Sequence, residues 1–327
     1  MKKLFIIMLL SLSPQTVHSF DVIAHRGLSR LHPEHTLHAV KEAMKYKIDY
    51  VEPDVVSSKD GIPLIMHDPQ LDTTTDVKMK FHDRKRSDGR YYAIDFTMKE
   101  IKTLRANHPV NPSSGEPKFT TRKPLPNSPH QVPTLEEYIQ AVQYFNKTNK
   151  RHVGIYLEIK APKFHREQGQ DITLITHNLI KKYYALDNKT PFIIQCFDPE
   201  TLKRLKFKIQ TPFPLIQLIA ENSWNESDTD YNQLRTQTGL REVARYASGV
   251  GPWLYHLVQN GRKDVALFTK WAHQAGLKVH TFTVRNDSLP SYANSENELL
   301  EFLVKEVKVD GVFTDNPHTT LQILNNM

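Results

Sequence analysis

Two short stretches decide the architecture: Tyr50-Val51-Glu52-Pro53-Asp54 and Ile155-Tyr156-Leu157-Glu158-Ile159-Lys160. Each is an apolar, strand-like run that ends in charged residues, which an ordinary strand buried on both faces avoids. A third run, Asp21-Val22-Ile23-Ala24, leads straight into His25-Arg26-Gly27. Side chains two apart on a strand point to one face, so Glu52 projects with Asp54 and Glu158 with Lys160. Such strand ends gather at the mouth of a parallel barrel, where active sites sit.

Working outward, strand candidates recur at 21–24, 50–56, 153–160, 192–197, 215–220, 249–253, 277–284 and 311–314. Helical patterns separate them at 36–46, 134–145, 171–183, 199–207, 240–247, 263–275, 297–306 and 318–325. Thr134 with Glu137 three residues on has the form of a capping box. The alternation predicts an α/β fold, a TIM-type (β/α)8 barrel. Residues 69–132 break the pattern: they are polar and carry Pro109, Pro112, Pro117, Pro124, Pro126 and Pro129. They predict an insertion after the second strand, folded onto the barrel mouth. One domain over 20–327 is the expected organisation.

The first residues differ from the rest. Lys2 and Lys3 precede the apolar run 4–12, and Val17-His18-Ser19 offers small residues at both ends of a cleavage triplet. The run is shorter than the roughly 20 residues that span a bilayer, so 1–19 read as a signal peptide. No later segment is long and apolar enough for a membrane span. Cys196 is the only cysteine, which leaves no internal disulfide and no cysteine near the leader for a lipid anchor. A soluble periplasmic or secreted protein is expected. The formal charge of +7 falls to about +5 without the leader lysines, a mild excess that suits an anionic small molecule. No basic-aromatic pattern points to nucleic acid.

Glu52, Asp54 and Glu158 converging at one mouth need a cation or several basic partners, because buried unpaired carboxylates are costly. Either they pair with Arg26 and Lys160 in a structural network, or they hold a hard divalent cation while the bases face an anionic ligand. Leu64-Ile65-Met66 running into His67-Asp68 adds a second histidine at the end of a short apolar strand. Two histidines at one barrel end suit proton transfer near neutral pH. Gln195 and Phe197 share a strand face and either line a pocket or pack the core; Phe282, Trp253 and Tyr255 face the same choice. Asp315 reads as a cap of the last helix or a closure of the rim.

In order along the chain, His25-Arg26-Gly27, Pro33-Glu34-His35-Thr36, Glu52-x-Asp54, His67-Asp68, Glu158-x-Lys160, Gln195-Cys196-Phe197, Thr283-Val284-Arg285 and 311–317 resemble the signature of glycerophosphodiester phosphodiesterases. The stretch 88–97, Asp-Gly-Arg-Tyr-Tyr-Ala-Ile-Asp-Phe-Thr, is most similar to the periplasmic bacterial (GlpQ-type) branch. The resemblance implies metal-dependent hydrolysis of glycerophosphodiesters to glycerol 3-phosphate and an alcohol. It implies Glu52, Asp54 and Glu158 as ligands of one divalent cation, Ca2+ favoured and Mg2+ possible. It makes His25 and His67 the acid-base pair and puts Arg26 and Lys160 on the phosphate. A related barrel phospholipase and a non-catalytic exported binding protein are the competing functions. Thr73 stands where many members have arginine, and 279–282 lack a tryptophan common in other branches; both departures lie outside the proposed metal and proton-transfer groups.

Overall fold

The structure is a computed structural model that describes residues 20–125, 127–259 and 263–327. The expected signal peptide over 1–19 and the insertion's Pro126 lie outside the described residues. Strands run in chain order as β1 (Asp21–His25), β2 (Tyr50–Glu52), β3 (Asp54–Ser57), β4 (Pro63–Ile65), β5 (Gly154–Ile159), β6 (Phe192–Cys196), β7 (Leu215–Ile219), β8 (Gly249–Pro252), β9 (Lys278–Val284) and β10 (Gly311–Thr314). The parallel ladder β2-β1-β10-β9-β8-β7-β6-β5 returns to β2, so the sheet closes as an eight-stranded barrel with helices outside. Closure leaves the barrel strands without a free edge.

Eight of the ten strands build the barrel; β3 and β4 form a hairpin that extends β2 beyond its rim. Pro53 has no N–H to give, yet its carbonyl accepts the Glu158 N–H at 2.9 Å, so pairing to β5 crosses the break. The strand expected over 50–56 is divided at Pro53, and the short apolar run that leads to His67 pairs antiparallel with β3 as β4. A short apolar run does not reveal its direction, which is why the sequence pattern missed this.

Period-2 alternation sorts the strand residues. One set faces out against the helices and forms the main core. The other faces into the barrel, where Ile23, Tyr156, Ile193, Ile216 and Phe313 pack into a floor. Tyr156 meets Phe313 edge-on at 5.1 Å and Tyr50 at 5.6 Å. Burying each such side chain contributes about 1.5–3 kcal/mol. The insertion has an apolar cluster of its own, including Leu71, Val77, Phe96 and Ile101, which packs onto the hairpin through Val56 and Leu64. The helices start as their caps predict: Thr36 accepts from Ala39, and Thr134 and Glu137 complete the capping box. Among the described residues no helix is long and apolar enough to cross a membrane.

The turn after β1 has little tolerance. Gly27 has φ +87°, and a Cβ there would lie 2.7 Å from the Ala39 carbonyl carbon. Both the left-handed backbone and the contact penalise a side chain. Gly27→Ala should lose about 1–3 kcal/mol of stability, read as a lower denaturant midpoint at unchanged slope; an unchanged midpoint would show that the turn adapts.

Candidate active site

Two residues above the floor, the same inward alternation brings up polar groups. Register places His25 beside Glu52, Asp54 beside Glu158, and Glu158 beside Gln195. One oxygen from each of Glu52, Asp54 and Glu158 lies within 4.8 Å of the others, and all three residues are buried. Glu52 accepts from the Arg26 backbone N–H at 3.1 Å and from Gln195 Nε2 at 3.1 Å. Asp54 Oδ2 meets His35 Nε2 at 2.8 Å. Glu158 Oε1 lies 2.8 Å from Lys160 Nζ.

The electrostatics are those of a site short of positive charge. Burial, then repulsion from Asp54 and Glu158, pushes the Glu52 carboxyl well above the ordinary range. Burial likewise raises Glu158, against the pull of Lys160. Burial would raise Asp54 too, but the hydrogen bond and charge of His35 outweigh it and hold that carboxyl low. Asp54 Oδ1 is buried without a hydrogen-bond partner among the described residues. Glu158 Oε1 is likewise without a hydrogen bond beyond its ion pair with Lys160; such oxygen donors fit a hard divalent cation, and Glu52, Asp54 and Glu158 can hold one.

Each expected histidine stands on a carboxylate. His25 Nδ1 lies 2.6 Å from Asp315 Oδ1, and His67 Nδ1 lies 2.6 Å from Asp68 Oδ1. The contacts leave both Nε2 atoms for other work. Burial, then Arg26, pushes His25 down to about 3, and the same two causes lower His67. The antiparallel hairpin is what returns His67 to the mouth, where Met66 N–H donates to the Asp54 carbonyl at 3.0 Å. Arg26 sits at φ +59°. That conformation aims its N–H at Glu52 while its guanidinium reaches Glu34 at 2.8 Å and Asp54 at 3.4 Å. Burial alone would lower the Arg26 pKa, but Glu34, Asp54 and Glu52 outweigh it and raise it.

His25, Arg26, Glu52, His67, Glu158, Lys160, Gln195, Phe197 and Phe282 all line one cavity of about 310 Å³. Asp54 lies just behind it. Comparison with known proteins now adds to the geometry. The sequence profile of the Glycerophosphoryl diester phosphodiesterase family matches residues 25–319. The chain belongs to this family. A glycerophosphodiester phosphodiesterase of Haemophilus influenzae is 37% identical over 328 residues, covering 94% of this chain and 90% of its own. A solved structure from Silicibacter pomeroyi superposes with a TM-score of 0.71 at 22% identity, covering 94% of both chains. An Oleispira antarctica phosphodiesterase, solved with the product sn-glycerol-3-phosphate, gives a TM-score of 0.63 at 22% identity and covers 93% of this chain and 96% of its own. These two structures share the fold; membership of the family makes the chain a glycerophosphodiester phosphodiesterase.

Against that family background, several residues of the site go beyond the sequence reading. Asp315 caps nothing, because Asn316 is the N-cap of the last helix. It is instead the buried partner of His25, and it accepts from Arg122 at 2.7 Å and Arg285 at 2.9 Å. Lys118 of the insertion lines the cavity, as do Trp224 and Glu226, and Trp253, which the sequence offered for either a pocket or packing, lines it with them. Thr73, at the departure from the common arginine, donates its hydroxyl to Asp68 at 2.8 Å and accepts from Arg90 at 3.3 Å. The contact of Gln195 with Glu52 and that of Asp315 with His25 leave no mark in one sequence, since both depend on how distant strands are brought together.

The raised carboxyl groups have a measurable consequence. Without a cation the native state binds more protons at Glu52 and Glu158 than the unfolded chain does. Metal-free stability should therefore fall as pH rises above the ordinary glutamate value of 4.5. Adding a divalent cation at neutral pH should expel those protons and raise Tm. Calorimetry in two buffers of different ionisation enthalpy reads the release. Cation binding with no proton release would show that the cluster is already ionised.

Proposed function

We propose that the chain hydrolyses glycerophosphodiesters to glycerol 3-phosphate and an alcohol with one divalent cation. The observation that carries this reading is the buried cluster of Glu52, Asp54 and Glu158, with atoms within 4.8 Å of one another, on the wall that also presents both histidines and both bases. The product bound by the Oleispira antarctica phosphodiesterase supports the product named here. Calcium is favoured by the resemblance to the periplasmic branch, and magnesium accepts the same donor set.

The bound cation supplies Lewis-acid stabilisation to a phosphoryl oxygen. The rest is done by the chain. Arg26 and Lys160 orient the phosphodiester; each is anchored on one side by a carboxylate, Glu34 or Glu158, and therefore points one way. His25 and His67, held through Nδ1, present Nε2 to the reacting groups. With one proton shared between them, the neutral histidine takes a proton from the nucleophile, either water directly or a substrate hydroxyl whose cyclic phosphate water then opens, and the protonated one gives its proton to the departing alkoxide. Gln195 and the Arg26 N–H keep Glu52 in place throughout. The leader-like residues 1–19 support export, with the mature protein beginning near Phe20.

Turnover of glycerophosphocholine should vanish in chelator and return with calcium; full activity of stripped protein would remove the cation from the reaction. His25→Ala and His67→Ala should each lower kcat by at least about 100-fold with the fold intact by circular dichroism, whereas near-normal kcat would reassign that histidine to structure. Amino-terminal sequencing of protein from the periplasm or medium should begin near Phe20, and intact Met1 on active cytosolic protein would refute export.

A further inference from the structure

A second set of metal-ligating side chains stands outside the cavity at the barrel mouth. His32 lies in the loop after β1, His38 in the first turn of the helix Leu37–Met44, and His130 near the end of the insertion. The His32 and His38 rings meet edge-on at 4.4 Å, and the His38 and His130 rings stack at 5.0 Å. All three residues are half-buried, and among the described residues no hydrogen bond reaches any of the rings. Burial, then the neighbouring His38, holds His32 below its ordinary pKa, and the same two causes lower His130. Both imidazoles are therefore neutral near pH 7 and keep a lone pair. Glu42, one turn on from His38 in the same helix, is close enough to feel both His38 and His32. Its partner is Lys45 at 2.6 Å in an exposed pair, a contact worth little.

We propose that His32, His38 and His130, completed by Glu42, bind a borderline transition-metal cation such as Zn2+. Two imidazoles that share a tetrahedral ion through nitrogens about 2.1 Å from it have ring centres roughly 5 Å apart, close to the spacing of both pairs. The ring planes of His32 and His38 cross at 83°, so each can turn a nitrogen toward one position. His130 lies at 14° to His38 and has to rotate about its side-chain torsions, which no hydrogen bond opposes. Nitrogen donors select such an ion over calcium or magnesium, which suit the all-oxygen cluster at the mouth. The ligands come from the loop after β1, the helix that follows it and the end of the insertion, so the ion clasps the insertion to the barrel. The site is independent of the phosphodiesterase reading.

The test titrates Zn2+ into the whole protein in excess calcium. One ion should bind per chain and raise Tm by about 4 °C at a hundredfold excess over its Kd. Co2+ in the same place should show the intense visible bands of a four-coordinate ion. His38→Gln and His130→Gln, both at half-buried positions, should keep the wild-type Tm in calcium alone and bind zinc at least about tenfold more weakly. Absence of zinc binding would overturn the site. Variants that bind zinc as tightly as the wild type would also overturn it, because the ion would then sit at the carboxylate cluster or on other histidines. A pale, six-coordinate cobalt spectrum that both variants leave unchanged would do the same. If His38→Gln fails to fold, His130→Gln decides alone, since it lies in irregular chain and its ring holds nothing else in place.

Discussion

Three carboxyl groups held within 4.8 Å of one another and away from water, which repel one another once ionised, are the constraint that the rest of the mouth answers. In a medium of low dielectric their repulsion is large, and each neighbour contributes to its relief. Arg26 accepts a left-handed backbone at φ +59°, and His35 another at φ +64°. Such conformations cost about 1–3 kcal/mol each and persist only where the surroundings require them. Here both deliver an N–H donor or a positive charge to the cluster. Gly27 at φ +87° lets the chain turn away immediately afterwards. The strain of the β1 turn and the crowding of the carboxylates are one arrangement.

The barrel makes that arrangement possible because its register is shared. Floor residues such as Ile23, Tyr156 and Phe313 and rim residues such as His25 and Glu158 alternate on the same strands. Any slip of one strand by one residue would turn its floor outward and bury a charge against a helix. The apolar floor also keeps water from reaching the cluster from below. Its interactions with an incoming phosphate are stronger for that reason, and so is the penalty for leaving it without a counter-charge.

These relations explain what one sequence discloses. The eight barrel strands were legible because each is an apolar run of ordinary strand length between amphipathic stretches. The convergence of Glu52, Asp54, Glu158, His25 and His67 followed from their positions at strand ends together with the resemblance to a family. The direction of 63–65 was not legible, since three apolar residues carry no sign of parallel or antiparallel pairing. The partnership of Asp315 with His25 spans 290 residues, and Gln195 reaches Glu52 across 143. Contacts across a ring, whether between its first and last strands or over its mouth, exist only once the ring has closed.

The insertion shows the same dependence from the other direction. Arg122 lies in the proline-rich stretch that breaks the barrel pattern, yet its side chain is 1% exposed and sits between Asp287 and Asp315 at 2.7 Å from each. A guanidinium so buried joins both carboxylates at once; without it Asp315 would keep only His25 and Arg285, and Asp287 only Thr121 and Arg30. Asp315 is also the group that holds His25. A segment that looks ornamental in sequence thus completes the support of the histidine at the far end of β1. Irregular, polar composition marked where the chain leaves the barrel, but the one arginine that returns to it is what ties the excursion to the chemistry.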